Sequence, residues 1–186
     1  SGFPRNRVFG SGTALDTARF RALLGGHLGI APQSIHANVL GEHGDSEVLI
    51  WSTADAANEN VMNFAKSIKN PITKEVMEKL DDDVRNAAYK IINGKWSTFY
   101  GIASCLARIC RAIARDEHSI FTVSSLHEEV EGVKDVFISY PTVVCKEGVC
   151  NVAHPDLDDK ERKLLKKSTE IVKENSEIAL NILRKK

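Results

Sequence analysis

Stretches in which apolar residues recur every three or four positions are interleaved with shorter aliphatic runs bounded by Gly, Asn, Asp and Pro, the pattern of helices mixed with strands. The segment Thr13 to His27 predicts a helix with Thr13 as its N-cap, and Gly25 and Gly26 weaken its end. Ile35 to Leu40 predicts a short strand that stops at the turn Gly41-Glu42-His43-Gly44-Asp45, and Glu47 to Ser52 predicts its successor. Helices are expected over Lys74 to Asn93 and Thr98 to Asp116, the second apolar on nearly every face, as a central helix is. Ile120 to Ser124, Asp135 to Ser139 and a Pro141 to Ala153 hairpin supply further strands.

From Asp158 to the chain end, Leu164, Leu165, Ile171, Val172, Ile178 and Ala179 recur at seven-residue spacing between Lys and Glu, which marks a long amphipathic helix. Such a stripe either covers the chain's own strands or forms a seam with another copy. The several strands that need a helical cover favour the first. The expected fold class is α+β, with a mixed, largely antiparallel sheet covered by long helices.

The 186 residues suffice for one well-packed domain and hold no internal repeat or low-complexity linker, so a single domain over 1–186 is expected. Lys+Arg 25 balances Asp+Glu 25, and the resulting net charge of zero gives no field to draw the chain to nucleic acid or an anionic membrane. The apolar runs are a few residues long, far short of the roughly 20 that span a bilayer. The start lacks the basic-then-apolar pattern of a secretory signal. Four cysteines are too few for a disulfide scaffold. Cys145 and Cys150 flank the turn-like Lys146-Glu147-Gly148 and can bridge under oxidation, but two free thiols are expected in a cytoplasmic protein. No zinc-ligand spacing occurs, so no metal is expected.

Asp16 and Arg19 lie three apart on one predicted helix, which places a carboxylate and a guanidinium on the same side. Taken alone they read as an ordinary intrahelical ion pair. His43 sits between glycines at a strand end. A histidine held beside a buried carboxylate is an effective proton donor, because the negative charge favours imidazolium and fixes which ring nitrogen faces outward. An arginine nearby grips a substrate carboxylate through two parallel hydrogen bonds. Together the three residue types suit orientation and protonation of a 2-oxo acid.

The blocks SGFPRNRVFGSGTALDTARFR (Ser1 to Arg21), VLGEHGDSEVLIWS (Val39 to Ser52) and GVKDVFISYPTVV (Gly132 to Val144) resemble, in order and separation, those of the L-lactate dehydrogenases. The resemblance extends weakly over the rest of the chain. It implies the C-terminal, substrate-binding half of an NAD-dependent enzyme that interconverts pyruvate and lactate by hydride transfer. It implies His43 as acid and base, Asp16 as its partner, Arg19 as carboxylate clamp and Thr98 beside the substrate. It also implies Ser11 near the nicotinamide amide and Ile102 against the nicotinamide ring. Arg21 and His36 occupy the positions that, in the allosteric bacterial type, help form a fructose bisphosphate site between subunits; as residues alone they are a surface arginine and a strand-edge histidine. A homotetramer is the family's usual state, and glycolysis or fermentation its usual setting.

Two features depart from that pattern. The fingerprint G-x-G-x-x-G after a strand is nowhere in the sequence, so the dinucleotide-binding half and its mobile-loop arginine lie outside it. Trp96 follows Lys95 where the family usually has glycine, a residue used for special backbone angles or close approach. The alternatives that stay open are a malate dehydrogenase of the same family and a free-standing, non-catalytic binding or assembly domain.

Overall fold

A computed structural model describes residues 1–184; Lys185 and Lys186, at the end of the predicted last helix, lie outside it. The elements run α1 (Ala14–Leu28), β1 (Ile35–Leu40), β2 (Val48–Ala56), β3 (Glu59–Asn60), α2 (Val61–Ser67), α3 (Lys74–Arg85), α4 (Ala87–Lys95), α5 (Tyr100–Ala114), β4 (Ser119–Val130), β5 (Val133–Cys145), β6 (Gly148–Val152) and α6 (Asp159–Arg184). The strands form two three-stranded sheets, β1-β2-β3 and β4-β5-β6. Every pairing within them is antiparallel, and the fold is α+β as the pattern predicts.

Three apolar clusters hold these elements. Phe20, Leu24 and Leu28 of α1 pack with Ile35, Ala37 and Val39 of β1, Leu49 of β2, and Leu80 and Val84 of α3. On the other side Leu40, Val48 and Ile50 join Val136, Ile138 and Tyr140 of β5 and Leu165 of α6. Strand β2 therefore serves both clusters, since its side chains alternate between faces: Leu49 points into the first, Val48 and Ile50 into the second. A third, smaller cluster sets Ala14 and Ile109 against Val123 and Val144.

Several local expectations are corrected. Thr13 stands at the N-cap position of α1 but makes no capping bond, because its hydroxyl donates instead to the Val39 carbonyl at 2.5 Å. Helix α1 continues through Gly25 and Gly26 to Leu28, where Gly29 ends it at φ 71. The expected Lys74 to Asn93 helix is interrupted at Asn86, and Pro141 lies inside the long strand β5, paired with Thr122, rather than opening a hairpin. The short elements β3 and α2 have no counterpart in the reading above. Helix α5 is not a central helix: only Ile109 and Ala112 are buried, while Tyr100 and Leu106 stay exposed. Helix α6 covers the second cluster with Leu165, but Ile178, Leu180, Ile182 and Leu183 at its far end are exposed.

Cys145 and Cys150 are joined in a disulfide, in place of the two free thiols expected, with Cα atoms 6.1 Å apart. Cys145 pairs with Gly148 across the β5–β6 turn, and Cys150 is the extra residue of a bulge two positions further on. Strand alternation thus puts both sulfurs on one face, as diagonal neighbours. Cys105 and Cys110 are free. No helix among the described residues is long and apolar enough to cross a membrane.

Candidate functional site

Asp16 lies in the first turn of α1 and is 2% exposed. Its Oδ2 is 2.5 Å from Nδ1 of His43, and its Oδ1 accepts a hydrogen bond from Arg19 Nη1 at 2.8 Å. Both carboxylate oxygens are therefore engaged, one by each side chain. The hydrogen bond to Asp16, partly opposed by burial, pushes the His43 imidazole above its ordinary range. Because Nδ1 is held, Nε2 is the ring nitrogen left to work, and the His43 side chain is 56% exposed to what stands outside.

Threonines of α1 dock it against the end of β1. Val39 N–H donates to Thr17 Oγ1 at 2.9 Å, and the Thr17 and Thr122 hydroxyls meet at 2.8 Å. The Thr13 N–H reaches the Thr122 carbonyl at 3.0 Å and Ser139 Oγ at 3.2 Å. Gly12 must be glycine here, since φ is 53 and a Cβ would lie 2.6 Å from both Ser124 N and Ser139 Oγ.

The turn carrying His43 is pinned from three directions. Gly41 exchanges backbone bonds of 3.2 Å with Ser139 of β5. Ser168 of α6 accepts the Glu42 N–H at 2.8 Å, and its Oγ would sit 2.5 Å from a Cβ at Gly41, whose φ is 91. Arg85 of α3 donates to the Asp45 and Glu47 carbonyls at 2.8 and 2.7 Å. Ser168, Arg85 and Thr17 were not singled out from sequence. Thr13 and Thr17 carried a signal, two hydroxyls four apart on the helix face that presents Asp16; Ser168, 126 positions from Glu42, carried none.

Glu47, immediately before β2, carried no site signal in the sequence beyond opening a predicted strand. It is 4% exposed, and burial beside Asp16 pushes its carboxyl up to about 7. Asp16, His43 and Glu47 each offer one donor atom within 4.8 Å of the others. Arg19, bonded to Asp16 at 2.8 Å, stands beside this cluster.

A cleft of about 520 Å³ opens beside His43, lined by Gly10, Ser11, Gly12, Phe137, Ile138 and Val172 among others. Ser11 thus joins His43 at one cavity. Thr98, just before α5, and Ile102, in its first turn, do not line it, although Gly101 lies against Leu15 with 3.5 Å between an added Cβ and the leucine methyls. Arg21 and His36 lie elsewhere: Arg21 Nε donates to the Ala37 carbonyl at 2.8 Å and Nη2 to Asn38 Oδ1 at 3.3 Å, and His36, the residue before Ala37 on β1, is exposed. Burial lowers the Arg21 guanidinium from its ordinary range.

Residues 13–182 match the family described as lactate/malate dehydrogenase, alpha/beta C-terminal domain. The chain is 51% identical over 173 residues to an L-lactate dehydrogenase of Thermus aquaticus, covering 93% of this chain and 56% of that protein. It is 51% identical to an L-lactate dehydrogenase of Allorhizobium ampelinum, over 94% of this chain and 56% of that protein. A lactate dehydrogenase enzyme from a Medee basin deep-sea metagenome library superposes with a TM-score of 0.90 at 39% identity, over 94% of this chain and 56% of that one. The chain spans little more than half the length of the relatives it matches. A match over nearly its whole length, at such identity and with the same fold, means that the chain belongs to the lactate/malate dehydrogenase family and corresponds to its alpha/beta C-terminal domain.

Proposed function

We propose that this chain is the catalytic, substrate-binding half of an L-lactate dehydrogenase, working with a dinucleotide-binding domain that its sequence does not contain. The observation that carries the reading is the buried Asp16 carboxylate, which holds His43 Nδ1 at 2.5 Å and Arg19 Nη1 at 2.8 Å on its two oxygens.

In that role Asp16 keeps Nδ1 protonated and leaves Nε2 of the imidazolium to give its proton to the substrate's keto oxygen; in the reverse direction neutral Nε2 takes the proton from the hydroxyl. Arg19 keeps N–H groups beyond the one given to Asp16, and its planar fork matches a carboxylate bidentately. It thereby fixes the 2-oxo acid with its carbonyl toward His43. The slot beside His43, with the Ser11 hydroxyl against the apolar walls Phe137, Ile138 and Val172, fits an aromatic ring bearing a neutral amide. Ser11 would hold such a nicotinamide, with Ile102 assigned the ring contact by resemblance alone. Bound NADH would supply the hydride. Thr98 would border the substrate side chain. Arg21 and His36 would offer a fructose bisphosphate a guanidinium and an imidazole, supplemented by a second subunit of a homotetramer in the cytoplasm.

The test joins this chain, in one polypeptide, to a dinucleotide-binding domain of a relative and follows NADH oxidation with pyruvate and with oxaloacetate. NADH-dependent reduction of pyruvate that falls by about 10²- to 10⁴-fold in His43→Ala is expected. Equal turnover without His43 would overturn the mechanism, and a preference for oxaloacetate would make the enzyme a malate dehydrogenase. A folded, cofactor-binding but inactive fusion would favour a binding or assembly domain.

A further inference from the structure

Asp16 has a cationic partner on each oxygen, whereas Glu47, equally buried, has an Oε1 with no hydrogen-bond partner among the described residues. Unpartnered buried carboxyls are costly and few. This one is also fixed: its N–H donates to the Gly44 carbonyl at 3.1 Å and its carbonyl accepts from Arg85 at 2.7 Å. It therefore stays beside the Asp16–His43 couple, within 4.8 Å of both.

We infer that Glu47 is a positioning residue for the proton chemistry of the site, a buried carboxyl that shares its protonation with the Asp16–His43 couple and so governs the pH range over which His43 holds its proton. The inference rests on the reading of His43 as acid and base. The groups facing Glu47 are Asp16 and Arg19 from α1, His43 from its own turn and Arg85 from α3. On the side toward α6, Lys160, Glu161 and Lys167 line the cleft that Glu47 borders. Two buried carboxyls this close resist ionising together, so the second ionises only at higher pH. Asp16 has Arg19 and His43 on its two oxygens while Glu47 Oε1 has no partner among the described residues, and burial pushes the Glu47 carboxyl up to about 7. As pH rises Glu47 becomes negative in the range where an ordinary histidine turns neutral, and the new charge retains the imidazolium. The acid form of His43 then persists to higher pH than Asp16 alone would allow.

Carbon-13 and nitrogen-15 NMR titration of the labelled chain tests this without any enzymatic assay, so an inactive fusion would sink the functional reading and leave this result standing. The Glu47 carboxyl is expected to titrate near neutrality, and Glu47→Gln to lower the His43 midpoint by about one pH unit. A Glu47 carboxyl that titrates near 4.5 with exposed glutamates, or a His43 midpoint unmoved in Glu47→Gln, would overturn the proposal. Should Glu47→Gln not fold, the carboxyl titration of the unsubstituted chain decides alone.

Discussion

Trp96 ends α4 in the left-handed region, φ 72 and ψ −19, with its N–H donated to the Ile92 carbonyl at 2.7 Å. Its side chain is 92% exposed, so burial offsets little of the strain. A side chain in this conformation costs about 1 kcal/mol, which glycine avoids. The departure noted in the sequence therefore has a backbone meaning: the position asks for glycine and holds tryptophan. Trp96→Gly is expected to stabilise the chain by about 1 kcal/mol, read as a higher denaturant midpoint at unchanged slope. Gly41 is the opposite case. At φ 91, with a Cβ falling 2.5 Å from Ser168 Oγ, Gly41→Ala combines backbone strain with a clash against α6. A loss of about 2 kcal/mol or more is expected in the same measurement, together with a changed His43 NMR shift, since the clash moves the turn that carries it.

At the level of elements, α6 is started by a capping box: Asp158 Oδ1 accepts Glu161 N–H at 2.7 Å, and Glu161 Oε2 accepts Asp158 N–H at 3.2 Å. Glu161 also ties the helix to β2, because its Oε1 accepts the Trp51 and Ser52 N–H groups at 2.8 and 3.0 Å. It is 5% exposed, so removing it strands several buried donors at once. Glu161→Ala is expected to cost about 3 kcal/mol, checked by chemical denaturation, whereas Glu170→Ala, on an exposed position of the same helix, should shift the midpoint little. Hydrophobic spacing located this helix, but the capping box went unread and nothing local to Asp158 and Glu161 pointed to β2. The seven-residue stripe likewise marked where α6 is apolar but not that only its first half finds cover.

For the whole molecule, two groups of the site make stability fall with rising pH. His43 is raised by its bond to Asp16, so its contribution is complete below an ordinary histidine's range and is lost as pH climbs through its folded value. Glu47, raised from 4.5 to about 7, is uncharged at no cost below 4.5 and becomes a buried charge through 7. Over that window it withdraws on the order of 3 kcal/mol. Glu47→Gln should flatten the decline between pH 4.5 and 7 and leave the variant more stable than the parent above it, as measured by urea midpoints across pH. Equal pH slopes in both proteins would contradict the assignment.

Sequence alone determined α1, from its flanking turn residues, β1 and β2, from their short aliphatic runs, and α6, from its strong periodicity, together with the motifs that carry Asp16, Arg19 and His43. Periodicity and turn chemistry are local, so they are legible in a single chain. Tertiary structure decided which of those residues meet. His43 and Asp16, 27 positions apart, come within 2.5 Å only because Thr13 and Thr17 dock α1 on β1. Packing also decided that Cys145 and Cys150 face each other, that α5 lies at the surface, and that Glu47 is buried beside the site. Burial, and with it the charge state of a carboxyl, depends on neighbours distant in sequence, and no pattern along the chain records them.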